Sequence, residues 1–206
     1  MKAYRSIAAL IVWFGLLLQY VLMVRGQGGE VFVTRTVNFF SYFTILSNLL
    51  AAIAFSAPAV APDSPIGRFF AKPSVRTAIA LYTSVTAATY IVILQGLWNP
   101  QGLQWVADTT LHYVTPALFL IDWLLFTPKG TLRWGAVLPW LAFPLAYGLY
   151  SIFRGPLSGF YPYPFLDTSH LGLAKVLVNM AAMSGLFLVL GLAFILIDRL
   201  LKRRRA

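Results

Sequence analysis

The chain has 206 residues, of which 59% are hydrophobic and 11% charged, with a mean hydropathy of +0.76; a soluble domain is roughly 45–50% apolar and about 25% charged. That balance leaves too little polar side chain to coat a water-soluble globule and no room for a separate soluble catalytic domain, so any chemistry has to sit in or beside a membrane. The net charge of +10 gathers in short loops and in the run Lys202-Arg203-Arg204-Arg205, which reads as a topology signal and not as a nucleic-acid surface, while the lack of cysteine excludes disulfides, thiol nucleophiles and cysteine-ligated metal.

Apolar runs follow one another at 6–24, 38–55, 75–97, 106–126, 135–153 and 171–197, each near the roughly 20 residues that a helix needs to cross the hydrocarbon core. Breakers separate them: Gly26-Gln27-Gly28-Gly29, the prolines from Pro58 to Pro65, Asn99-Pro100, Pro128-Lys129-Gly130, and Gly155-Pro156 onward to Pro164. The predicted fold is an all-α, polytopic membrane protein, a single bundle of six transmembrane helices over residues 1–206. The first run follows Lys2 and Arg5 as a signal peptide would, but its length and the absence of a small-residue cleavage site predict an uncleaved anchor.

Basic residues cluster at alternate ends of the runs. Lys2 and Arg5, then Arg68, Lys72 and Arg76, then Lys129 and Arg133, then Arg199 and the terminal basic run outweigh Arg25, Arg35, Arg154 and Lys175. The positive-inside rule therefore predicts cytoplasmic N- and C-termini, and it starts the second, fourth and sixth runs at the outer face.

Ionisable and polar groups inside such runs are costly, and each asks for a reason. The fourth run begins Asp108-Thr109-Thr110-Leu111-His112. Its i, i+4 spacing sets Asp108 beside His112 on one helix face, where a carboxylate can hold an imidazole; a helix cap at Asp108 is the plain alternative. In the second run Asn38, Ser41, Thr44 and Asn48 recur at helical spacing and form a polar stripe. Inter-helical packing would account for that stripe, but Thr44 and His112 are both expected in the outer half of the bilayer, where they can meet. Asn48, one turn from Thr44, and backbone amides are the candidate oxyanion donors, with Ser41 and Asp108 as supporting residues.

The fifth loop reads Gly159-Phe160-Tyr161-Pro162-Tyr163-Pro164-Phe165-Leu166-Asp167-Thr168-Ser169-His170. It is either an interfacial aromatic belt or a substrate-binding and gating segment, with Tyr163, Pro164, Phe165 and Asp167 as its candidates. Asp122 lies about 15 Å below His112 at the helical rise, which removes it from the site and predicts a pairing with a base such as Lys129. His112 and His170 are the minimum pair for haem ligation. No GxSxG, HExxH or P-loop pattern occurs.

Three patches resemble the androgen-induced and androgen-dependent family of six-helix membrane proteins, which hydrolyse fatty-acid esters of hydroxy fatty acids with a threonine nucleophile and a histidine. They are Phe43-Thr44-Ile45; His112-Tyr113-Val114-Thr115-Pro116 followed by Leu120-Ile121-Asp122; and Tyr163-Pro164-Phe165-Leu166-Asp167. The resemblance implies that Thr44 and His112 are catalytic and that no metal or cofactor takes part. A role for Asp108 comes from the spacing alone, and His170 falls outside the family register.

The expected function is an intramembrane, threonine-dependent lipid-ester hydrolase. Its partners would be membrane lipids or a lipid-ester substrate and no nucleic acid, and short loops suggest a bacterial cytoplasmic membrane with the site toward the outer face. A non-catalytic protein that binds a hydrophobic ligand between its helices is the alternative. A small transporter is a third reading, weakened because the few buried charges form no path across the membrane.

Overall fold

In the computed structural model, which describes residues 1–26 and 28–202, every regular element among those residues is helical. Gln27 of the first glycine-rich break and Arg203, Arg204 and Arg205 of the terminal basic run lie outside the described residues. In chain order the helices are α1 (Lys2–Val24), α2 (Gly29–Phe39), α3 (Phe43–Val60), α4 (Pro65–Ala71), α5 (Pro73–Leu97), α6 (Gly102–Phe126), α7 (Trp134–Ser158), α8 (Thr168–Leu171) and α9 (Leu173–Leu200).

Six of these, α1, α3, α5, α6, α7 and α9, are long and apolar enough to cross a membrane, with mean hydropathy from 1.2 to 2.5. Their outward faces carry Leu10, Val92, Leu125, Phe153, Leu157 and Val189, all exposed; in water such a surface would drive association, whereas lipid tails solvate it. α5 is the most enclosed span and α9 the least. The start of α1 and the end of α9 lie at one end of the bundle, because Arg5 and Arg76 meet Asp122 there, and the loop after α6 is tied to the end of α9 by Gly130 N–H donating to Asp198 O at 2.9 Å and Leu132 N–H to Asp198 Oδ2 at 3.1 Å.

Five of the predicted spans appear close to their expected limits, and the second is different. Residues 38–55 do not form one helix: α2 stops at Phe39 and α3 starts afresh at Phe43. Neither Gly nor Pro marks the break. It is held by α7, where the Tyr147 hydroxyl donates to Ser41 O (2.9 Å), Tyr150 O–H lies 2.7 Å from Ser41 Oγ, and Arg154 Nη2 donates to Asn38 Oδ1 (2.6 Å). Tyr147 thereby satisfies a carbonyl that a continuous helix would have bonded internally. The polar stripe is consequently divided: Thr44 and Asn48 share a face of α3, while Asn38 and Ser41 anchor the break.

Two further irregularities sit at the same end of the bundle. α5 widens into a π-helical turn at Tyr90–Leu94 and α6 into another at Thr110–Val114. Pro116 follows the second of these; its ring would crowd the carbonyl four residues back in a regular α-helix, and the wider turn relieves that crowding.

Candidate active site

Thr44 owes its setting to the break before α3. It occupies the first turn of that helix, where backbone N–H groups have no acceptor within the helix and the positive end of the helix dipole is felt. Its N–H donates to the Tyr163 hydroxyl at 3.1 Å, and its Oγ1 lies 3.1 Å from the same hydroxyl and 3.3 Å from His112 Nε2.

His112 sits in the π-turn of α6, stacked on the ring of Tyr90 with centroids 4.0 Å apart and planes at 17°. Its Nδ1 faces two acceptors of Asp108, Oδ1 at 3.2 Å and the backbone carbonyl at 3.1 Å. Nδ1 therefore carries the ring proton, and Nε2 is left as an acceptor toward Thr44. Asp108 is itself buried, and its Oδ2 accepts the Tyr90 hydroxyl proton at 2.5 Å.

Donor directions then follow along the whole line. A backbone N–H can only donate, so the Tyr163 oxygen accepts from Thr44 N; its own proton goes to Thr44 Oγ1, whose proton goes to His112 Nε2. Burial pushes the Tyr163 phenol up to about 12, against the hydrogen bond it accepts from the Thr44 N–H, so it stays a donor at neutral pH.

The aromatic loop reaches Thr44 through two glycines. Gly159 ends α7 in the left-handed region at φ +66°, and a side-chain carbon at Gly155 would lie 2.0 Å from the Tyr161 ring that packs on it. From there the loop folds back over the bundle, pinned by Asn179 Nδ2 donating to Phe165 O at 2.8 Å.

Two cavities border the hydroxyl. The larger, about 510 Å³, is walled in part by Thr44, His112, Asp108, Tyr90, Tyr163 and Pro164, with Arg35 and a Gln104–Gln19 hydrogen bond of 2.7 Å among its polar features. The smaller, about 70 Å³, lies among α5, α7 and α9 and includes Phe165 in its lining.

Several expected roles are revised. Asn48 is not placed as an oxyanion donor, because it lines neither cavity; its Nδ2 hydrogens go to Thr44 O at 2.8 Å and Leu111 O at 3.1 Å. The second acceptor has a local cause: the π-turn sends Thr115 N–H to Thr110 O, leaving Leu111 O without its usual α-helical donor. Asn48 thus joins α3 to α6 at the level of the Thr44–His112 contact.

Ser41 donates to Val37 O (2.7 Å) and holds the helix break, away from the lining of both cavities. Asp167 caps α8, accepting from Ser169 N at 2.8 Å and His170 N at 3.2 Å, and contributes to neither cavity wall. His170 is 84% exposed beside Asp167 and is not brought to the enclosed His112. Among the described residues no cluster of three or more His, Cys, Asp or Glu is assembled for a metal ion. Asp122 pairs with Arg5 and Arg76 instead of Lys129, whose amine donates to the carbonyls of Trp123 and Thr127.

Tyr90 is the site residue that the sequence reading missed. A signal for it existed: it falls late in the third run, at the depth where the fourth run places His112.

No protein-family model, curated protein or solved structure matches the chain. The chemistry of the site rests on its own geometry.

Proposed function

We propose that this protein is an intramembrane carboxylic-ester hydrolase acting on lipid esters, with Thr44 as nucleophile, His112 as general base and then acid, and Asp108 orienting the imidazole. The observation that carries the reading is the unbroken hydrogen-bonded line from Thr44 Oγ1 through His112 (3.3 Å) to Asp108 (3.2 Å), opening on a cavity of about 510 Å³. A threonine hydroxyl attacks an ester only with a base within reach, and such help contributes typically 10²- to 10⁴-fold.

In this mechanism the Thr44 N–H, at the positive end of α3, and the Tyr163 hydroxyl are the groups suited to stabilise the oxyanion. They lie together beside Oγ1, and each would turn from its present hydrogen bond to the new charge as the carbonyl enters. Chemistry of this kind draws on side chains and water alone. The likeness of the Thr44, His112 and Tyr163 patches to the androgen-induced family favours fatty-acid esters of hydroxy fatty acids as a substrate class. The charge pattern supports cytoplasmic termini, with the site toward the outer leaflet of a bacterial cytoplasmic membrane.

The test is to trap the acyl-enzyme. Purified protein quenched in acid during turnover of a long-chain ester should show the acyl mass on the peptide that contains Thr44. Ester turnover with the acyl mass on another residue overturns the threonine mechanism. Binding of the ester with no turnover and no adduct supports the alternative, a non-catalytic lipid binder, for which the large cavity is equally suited.

A further inference from the structure

The two cavities differ in one respect that decides which way round an ester can bind. Thr44 and Tyr163 border both, whereas His112 borders the larger and not the smaller.

In the first half-reaction Thr44 Oγ1 forms a bond to the acyl carbon while its proton passes to His112 Nε2. When the tetrahedral centre collapses, the bond between the acyl carbon and the alkoxide oxygen breaks, and that same proton passes from Nε2 to the alkoxide. The leaving oxygen must therefore lie within hydrogen-bond reach of Nε2, on the side of the larger cavity. The acyl chain, on the other side of the carbonyl carbon, points away from His112, and the space bordering Thr44 there is the smaller cavity.

Resting on the hydrolase reading, we propose that the smaller cavity is the acyl site and the larger cavity the alcohol site. In the second half-reaction water enters from the larger cavity, vacated by the alcohol. It attacks the acyl carbon and gives a proton to Nε2; the Thr44 ester bond then breaks, Oγ1 regains that proton and the carboxylic acid departs.

The two sites differ in capacity. At about 70 Å³ the acyl site is roughly half of a 150 Å³ cavity that accepts benzene, so it encloses about three or four carbons of the acyl chain. Any longer chain has to run out past Leu145, which lines this cavity and is 41% exposed on the lipid-facing surface. The alcohol site has room for a far bulkier group, and it offers Arg35, Gln19 and Gln104 to the polar part of that group. The substrate class is an ester whose alcohol portion is the large, amphipathic partner.

Gly148 gives a handle on the acyl site. A side-chain carbon there would meet the terminal methyl of Met180 at 2.6 Å, the mobile end of a flexible side chain, and both residues line the smaller cavity. Met183 also lines it, so Gly148→Val should fill the cavity and Met183→Ala should enlarge it.

The experiment measures kcat/KM of the purified full-length protein in detergent micelles on two series: p-nitrophenyl butyrate, hexanoate and decanoate, and butyrate esters of alcohols of increasing size. Gly148→Val should raise the butyrate-to-decanoate ratio by roughly tenfold, and Met183→Ala should lower it, since one methylene in an apolar pocket is worth about 10- to 200-fold. Neither should reorder the alcohol series. Leu22→Trp, in the larger cavity, should reorder the alcohols and leave the acyl ratio alone.

An acyl ratio unmoved in Met183→Ala and in a folded Gly148→Val overturns the assignment, as does an alcohol series reordered by either. A wild-type protein that hydrolyses no member of either series overturns the hydrolase reading as well, a different result from an active enzyme whose acyl preference ignores this cavity.

Discussion

At the end of the bundle where α1 begins and α9 stops, Asp122 is fully enclosed: Arg5 Nε reaches Oδ1 at 2.7 Å, Arg76 Nη2 reaches Oδ2 at 2.5 Å, and the Arg76 guanidinium also donates to Ala54 O and lies 5.2 Å from the Phe119 ring centroid. At the other end Asp108, on the same helix, has one oxygen on His112, the other on Tyr90, and a cavity in front of it. Both carboxylates are buried and both are satisfied, so burial alone does not distinguish a structural group from a reactive one. The distinction lies in what stands next to them. Asp122 is closed by full charges in packed aromatic surroundings and joins α1, α5 and α6; Asp108 is closed by neutral donors, one of which passes its alignment on to a hydroxyl that faces open space. The regular helices belong to the first end. The helix break before Phe43 and both π-turns belong to the second, where irregular backbone frees carbonyl and N–H groups to be used by side chains.

The largest effect should come from the reactive end. Thr44→Val keeps the β-branched shape and deletes the hydroxyl, so ester turnover should fall by about 10⁴-fold or more while the melting temperature stays close to that of the wild type. His112→Ala should be as damaging, and the double variant little worse than either, because nucleophile and base act as one unit. Turnover of Thr44→Val within tenfold of the wild type would make this end as purely structural as the other.

How much of this was readable beforehand differs between the two ends for a physical reason. Runs of about 20 apolar residues announce spans directly, since nothing else in a chain needs them. Thr44 and His112 could be matched by depth because alternate spans start at the same face. The same reasoning, applied to Tyr90, would have put it beside His112; applied to Arg5 and Arg76, it would have put both at the depth of Asp122, where proximity in sequence suggested Lys129. The break at 40–42 was not readable, because the groups that stabilise it, Tyr147, Tyr150 and Arg154, come from a helix about a hundred residues later. The use of Asn48 was hidden for a related reason: its second acceptor exists only because the π-turn leaves Leu111 O free.

The next effect belongs to the ionic end. Asp122→Ala leaves two guanidinium groups facing one another without their carboxylate, one of them almost fully buried, and removal of one partner from a buried ion cluster typically costs about 3–5 kcal/mol. Thermal unfolding in detergent should register that loss as a markedly lower melting temperature. Turnover per folded molecule should be nearly unchanged, since Asp122 sits about 15 Å along α6 from His112. Intact stability would mean that α1, α5 and α6 are held by packing alone. Lost turnover in the surviving folded fraction would mean that the two ends are coupled, and the contrast between them would fail.

The smallest of the three effects sharpens the description of the reactive end itself. Tyr163→Phe removes one oxygen and keeps the ring, which lies parallel to Phe165 with centroids 5.3 Å apart and edge-on to Tyr42 at 6.0 Å, so the loop should keep its fold. If the hydroxyl is an oxyanion donor, kcat should fall by about 10²- to 10³-fold, equivalent to roughly 2.7–4 kcal/mol, with KM little changed, because the missing bond is made in the transition state and not to the bound ester. If the hydroxyl merely closes the cavity wall, KM should move and kcat should not. A pH series separates the roles further. An ordinary tyrosine loses its proton near pH 10, but burial holds this one up to about 12; the wild-type rate should therefore show no alkaline fall between pH 8 and 10 that Tyr163→Phe abolishes. A fall near pH 10 that disappears in Tyr163→Phe would show that the phenol is far more exposed to water than its position over Thr44 implies, while still tying turnover to its proton.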